Sequence, residues 1–198
     1  GAGTNNVVRF NISYHDATGR ELVTGGMAAG GRVRNSLFYQ NTIVIAKGNT
    51  QPAFKVMGLE HNVKVLNNIL IGGSEKVVVA AEPMTTDNIA FAGNDYLVPG
   101  GVQVFQWGTR HQYDSLSAWR VATGEEHKLL GRDTGLTVAP RFVGPLSVTD
   151  GGGGFNLGPN SRLRRAGLNL FRNFGIRPGP VTFAGALYHM RAPNIGAR

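Results

Sequence analysis

The chain has no cysteine, which excludes disulfides, thiolate-held zinc and a thiol nucleophile. It has no apolar run near the roughly 20 residues that a helix needs to cross a bilayer, so no membrane span is expected. The N-terminal GAGTNN lacks the basic and apolar regions of a signal peptide. There is no Gly-Lys-Ser/Thr phosphate loop, no H-x-x-x-H pair and no G-x-S-x-G elbow. Acid is scarce as well: 12 Asp and Glu stand against 20 Lys and Arg, a formal net charge of +8 over 198 residues. Such a balance favours an anionic partner, whether nucleic acid, a phospholipid surface or an acidic polysaccharide. It also serves plain solubility, and charge alone does not choose.

What the sequence has in plenty is glycine. Its 29 glycines are about twice the usual share of roughly 7%. They form no G-X-Y repeat, so they mark turns rather than a collagen helix. Hydrophobic residues make up 41%, enough for a core.

The stretch VKVLNNILIGG (63–73) sets two amides in a run that otherwise reads as a buried strand. Unpaired in a core, each would cost about 1–3 kcal/mol. An internal repeat answers this. VVRFNISYHD (7–16), RVRNSLFYQN (32–41), KVLNNILIGG (64–73) and IAFAGNDYLV (89–98) each join two short strands through a small polar residue. Aligning Asn11, Ser36, Asn68 and Asn94 gives spacings of 25, 32 and 26 residues. A period near 25–30 with no intervening helix signals a solenoid. Coils stacked at about 4.8 Å turn equivalent residues into ladders, so aligned asparagines can bond to one another.

Beside the polar column, Val8, Phe10, Val33, Val65 and Phe91 are expected to point inward before it, and Ile12, Tyr14, Leu37, Tyr39, Ile69, Ile71 and Leu97 after it. Asn67 shares its column with Phe10 and Asn35. TIVIAKG (42–48), AFKVMG (53–58), EKVVVAAE (75–82) and VQVFQWG (102–108) supply the remaining walls. A β-sandwich with turns every 8–12 residues is the competing architecture, but it does not require an aligned polar column. After residue 113 the pattern changes. DSLSAWRVATGEE (114–126) can form a short helix capped by Asp114 or Ser115 and ended by Gly124. The expected fold is therefore all-β: a parallel β-helix over 1–113, a short helix and connecting segment over 114–150, and an irregular capping segment over 151–198.

These segments resemble the secreted right-handed parallel β-helix proteins of the pectate-lyase-like superfamily. SLSAWRVATGEEH (115–127) is similar to the L-x-x-W-x-x-x-T-G helix that follows the last coils in that family. APRFVGP (139–145), FNLGPNSRLRRAG (155–167) and VTFAG…PNIGA (181–197) resemble its D-P-x-F-V, F-x-L-x-P-x-S-P and D-F-x-G…P-x-I-G-A motifs. Ala139, Arg162 and Thr182 depart from that pattern, replacing Asp, Pro and Asp. The resemblance implies a secreted, cell-surface or periplasmic protein that binds and cleaves an acidic polysaccharide, by β-elimination or by glycoside hydrolysis. Family members are longer, so this chain is expected to be the C-terminal part of a larger β-helix, completed by a second chain with N-terminal coils or by identical subunits. No cofactor is expected; calcium, common in the family, has no supporting residue set here. The alternative is a non-catalytic structural protein that builds a filament, sheath or adhesin through inter-chain packing.

Elimination needs a base and a cation, and hydrolysis needs two carboxyls roughly 5–10 Å apart. The corner YHDATGRE (14–21) gathers His15, Asp16, Arg20 and Glu21, with His15 and Asp16 as acid–base candidates and Arg20 as a substrate contact. Glu60 and His61 form a second group. Arg9, Arg32, Arg34 and Lys64 are outward-facing candidates for a stacked polyanion site. RLRRAGLNLFRNFGIR (162–177) mixes five arginines with two phenylalanines, as RNA-binding segments do. Without a fold of that class nucleic acid is not the expected partner. The segment reads instead as a strap, with Leu163, Leu168, Leu170 and Phe171 packing inward.

Overall fold

The computed structural model describes residues 3–16, 25–127, 129, 131–149, 151–180, 182, 185 and 187–197. Within them the chain forms the expected all-β parallel solenoid, of about three turns. The first row of strands is Val7–Arg9 (β1), Ile12–Tyr14 (β2) and Met27–Ala29 (β3). The second is Leu37–Tyr39 (β4), Thr42–Val44 (β5) and Phe54–Val56 (β6); the third is Val63–Leu66 (β7), Ile69–Ile71 (β8) and Lys76–Ala80 (β9). The last is Ile89–Ala92 (β10), Asp95–Leu97 (β11) and Val104–Trp107 (β12). Three walls follow, ordered β1-β4-β7-β10, β2-β5-β8-β11 and β3-β6-β9-β12. Every pair within them is parallel, and His111–Tyr113 (β13) then turns back antiparallel on β12.

The first two walls meet at a two-residue bend, repeated four times: Phe10-Asn11, Gln40-Asn41, Asn67-Asn68 and Gly93-Asn94. The first residue of each bend is left-handed, with φ of 55°, 56°, 52° and 71°. Only Gly93 adopts that conformation without a Cβ penalty. The second residue belongs to the ladder. Asn11 N and Nδ2 both donate to Asn41 Oδ1 at 3.0 Å. Asn41 donates likewise to Asn68, and Asn68 to Asn94, all at 2.9 Å. The second Nδ2 hydrogen of Asn41, Asn68 and Asn94 goes to the carbonyls of Val8, Phe38 and Val65. Buried amides whose hydrogens are all used contribute to stability rather than costing it.

The ladder corrects the sequence alignment. Its second member is Asn41, not Ser36, and the bend residue before it is Gln40, not Asn35; the spacings are 30, 27 and 26 residues. Ser36 instead accepts from Asn6 N and Nδ2 at the entry to the first wall. A five-residue slip is odd, so it also inverts which side chains face inward. Phe38 is the core residue of β4, while Leu37 and Tyr39 point outward. In the second wall Ile43, Leu70 and Tyr96 fill the interior, whereas Ile12, Tyr14, Ile69, Ile71 and Leu97 form a second apolar layer outside. Phe10 also lies outside, edge-on to Tyr39 and Tyr188.

That outer layer exists because the C-terminal segment covers it. Phe155, Leu163 and Ile195 pack on Val44, Ile69 and Ile71. The helix Leu170–Phe174 (α2) sets Leu170 against Phe10, Tyr39 and Leu66. Leu163 and Leu170 are buried as expected, but Phe171 is 44% exposed. Asn67 fixes the segment: its Nδ2 donates to Leu168 O at 2.9 Å and its Oδ1 accepts from Leu168 N at 2.8 Å.

The helix Leu116–Thr123 (α1) closes the C-terminal end of the core. Ser115 caps it by accepting from Ala118 N, and left-handed Gly124 ends it. Fully buried Trp119 stacks on Phe105 at 4.6 Å and meets Phe91 edge-on.

Candidate functional site

The expected acid–base corner is built on the bend after β2. His15 takes a left-handed conformation with φ of 58°, donates its backbone N–H to Val44 O, and lays its ring on Tyr14 at 3.8 Å. Asp16 accepts from Ser13 Oγ at 2.5 Å. Both are exposed and each is held by a different neighbour. His15 lines a cavity of about 200 Å³ together with Lys47, Pro99 and Leu146. Arg20 and Glu21 lie outside the described residues.

The four stacked cations do not share a column. Arg9 lies in the row of Tyr39 and Leu66, whereas Lys64 aligns with Leu37 and Ala90. Arg34 bridges Thr4 and His61 ahead of the strands, and Arg32 lies earlier still, with φ of 64°. Lys64 Nζ donates to Asn62 Oδ1 at 2.6 Å. The Arg9 guanidinium is 5.5 Å from the Phe10 ring and closely abuts Gly179 of the C-terminal segment.

The buried acids are a group that sequence reading missed. Glu126 is wholly enclosed and occupies the next ladder position. Its Oε1 accepts from Asn94 N at 3.0 Å, Asn94 Nδ2 at 2.7 Å and Tyr96 Oη at 2.8 Å. Its Oε2 accepts from Gly93 N at 2.6 Å and Thr134 Oγ1 at 2.7 Å. Burial pushes its carboxyl up, and these donors oppose the rise. Glu125 accepts from Phe91 N at 2.7 Å and is pushed up to about 8, mostly by burial. Asp95 accepts from Val138 N at 3.0 Å and is pushed up to about 7 by burial. Burial also raises Glu60 at the other acid corner, where His61 is exposed. The signal available in sequence was the doublet Glu125-Glu126 directly after the helix stop Gly124.

Charge is distributed unevenly. Residues 1–127 carry ten Lys and Arg and ten Asp and Glu, whereas residues 128–198 carry ten and two. The whole net charge therefore belongs to the segment that wraps the outside of the solenoid. Arg162, Arg164, Arg165, Arg172, Arg177 and Arg191 are exposed. None of them forms an ion pair among the described residues; the two bridges there join Arg120 and His127 to Asp133. Beside α2 a groove of about 580 Å³ is lined by Phe171, Arg177, Pro178, Tyr188, His189 and Met190. The Arg177 guanidinium lies 4.7 Å from the Phe171 ring centroid. An exposed aromatic face beside a guanidinium offers stacking to a sugar ring and paired hydrogen bonds to its carboxylate.

Among the described residues no group of three or more His, Asp or Glu side chains could hold a metal ion, and no helix is long and apolar enough to cross a membrane. No protein-family model, no curated protein and no solved structure matches the chain. The class that the fold defines is the parallel β-helix.

Proposed function

We propose that this β-helix binds an acidic polysaccharide, outside the cytoplasm, along the arginine-rich face of its C-terminal segment. The observation that carries the reading is the segregation of charge: a neutral solenoid wrapped by a segment holding the entire excess, with exposed arginines that form no ion pair among the described residues. The groove between Phe171 and His189 adds an aromatic face and a guanidinium at one end of that surface. The geometry favours binding over cleavage. Asp95, Glu125 and Glu126 are spent as buried acceptors, and Asp16 is tied to Ser13.

Binding of the full chain to polygalacturonate, measured calorimetrically across a salt series, tests this. Neutralising Arg162, Arg164 and Arg165 together with Arg177 is expected to weaken affinity about tenfold or more and to flatten its salt dependence, since each lost contact removes one counterion-releasing charge. The double variant Arg9→Ala/Arg34→Ala is expected to do less. Unchanged affinity in the quadruple variant, or equal affinity for duplex DNA, overturns the reading.

A further inference from the structure

We propose that a cavity of about 550 Å³ between the last coil and the strap is a binding site for a small amphiphilic carboxylate, a single carboxylate carried on a hydrocarbon body. The cavity opens where distant parts of the chain converge. Leu129 and Arg132 border it from the segment that bridges onto β11 at Leu136, Leu168 and Asn173 from the strap and α2, and Ile195 from beyond them. A space of this size with aliphatic walls and few polar groups matches the sites that enclose small molecules.

The polar groups define the ligand's head. Arg132 and Asn173 line the cavity, and neither side chain has a hydrogen-bond or ion-pair partner among the described residues. Two acids stand close by, and both are engaged elsewhere. Asp133 lies 3.6 Å from Arg120 and 3.7 Å from His127. Glu126 lies behind Gly135, where a Cβ would come within 2.9 Å of its Cδ, and its oxygens accept from Gly93, Asn94, Tyr96 and Thr134. The Arg132 guanidinium keeps its fork of donors unused, and that fork matches a carboxylate through two parallel hydrogen bonds.

The walls define the ligand's body. The backbone groups along the cavity are already spent: Thr134 N and Leu136 N donate to Glu126 O and Asn94 O, while Thr134 O and Leu136 O accept from Arg120 and Tyr96 N. Thr134 Oγ1 is spent on Glu126. A uronate would bring ring hydroxyls that lose water here and find little to replace it. Leu129, Leu136, Leu168 and Ile195 suit a hydrocarbon instead, so this site is separate from the arginine-rich face that takes the polysaccharide.

Titration of the full chain with octanoate and with 3-phenylpropanoate, followed by amide chemical shifts, tests the assignment. Saturable shifts at Gly135, Leu136 and Leu168 are expected from at least one of them, and the tighter acid tells whether the body is linear or aromatic. Octanol should bind about tenfold more weakly or worse than octanoate, and Arg132→Leu should weaken the acid by a similar factor. Arg132→Lys should restore part of that loss. Ala166→Trp, which fills the cavity from its exposed rim, should abolish binding with the unfolding midpoint kept. No saturable shift with either acid overturns the proposal, as do equal affinity for octanol, full affinity in Arg132→Leu, or equal competition by galacturonate. Shifts confined to the groove beside Phe171 and lost in Arg177→Ala overturn it too.

Discussion

At the C-terminal end of the solenoid, each wall finishes on a different partner. The β10 edge meets Glu125 and Glu126, β11 meets Leu136 through a parallel bridge, and β12 meets β13. Trp119 lies over the core beneath them. At the N-terminal end the same three walls present strands paired on one side, over a core only partly covered. One ladder runs between these ends: at one, Glu126 accepts from five donors, and at the other no described residue donates to Asn11 Oδ1. A repeat fold stacks by nearest-neighbour contacts, so the closure of a row depends on what lies directly against it. The edge of a sheet is a template for further pairing unless something blunts it. Among the described residues the blunting groups lie at the C-terminal end.

The comparison is broken most severely at Glu126. Glu126→Leu leaves five donors around one apolar side chain, and a loss of about 3–5 kcal/mol is expected in urea unfolding. Next is Asn67→Ala, which removes both bonds to Leu168 and is expected to cost about 2 kcal/mol. Protease cleavage within 162–177 should accelerate in that variant before the solenoid itself unfolds. Asn11→Ala, on the same ladder but exposed, is expected to cost under about 1 kcal/mol; a cost equal to that at Glu126 would erase the distinction between the ends.

The ends also differ in their response to pH. Asp95 and Glu125 both belong to the closed end, with carboxyls raised to about 7 and about 8. The folded chain then holds their protons more tightly than the unfolded chain does. Their contribution to stability is complete below the ordinary carboxylate range and is lost as pH rises through about 7 to 8. Unfolding midpoints should therefore fall between about pH 5 and pH 8, and Glu125→Gln should flatten the upper part of that decline. A midpoint that rises across the interval contradicts the assignment.

Much of the fold was legible from sequence because a solenoid writes its period into the chain: Asn11, Asn68 and Asn94 are ladder members, and α1 sits between Ser115 and Gly124 as expected. The register of the second row was not legible. RVRNSLFYQN offers both Ser36 and Asn41 as the polar position, and alternation could not choose between them. Leu37 and Tyr39 are apolar yet face outward, under a segment more than 100 residues distant. Where both faces of a strand are buried, the period of two disappears. The candidate site was less legible for a related reason. Arg9, Arg34 and Lys64 were grouped by sequence column, but their actual columns differ once the register is corrected. Glu125 and Glu126 drew no notice in the sequence, because a carboxylate standing in for an asparagine has no pattern of its own.

The strap pinned by Asn67 also sets an order of assembly. Ladder bonds join residues 26 to 30 apart, so each row can form soon after the one before. The strap's bonds span far more chain: 101 residues from Asn67 to Leu168, 148 from Gln40 to Tyr188, and 155 from Thr42 to Ala197. Closing such loops costs more entropy and yields nothing until the rows exist to receive them. As the chain leaves the ribosome, its coils can wind in sequence order while the outer faces of Ile69, Ile71 and Tyr39 stand uncovered. The residues that cover them, Phe155, Leu163, Leu170 and Ile195, emerge later, so the interval before their arrival is when the nascent protein is most open to association with its neighbours.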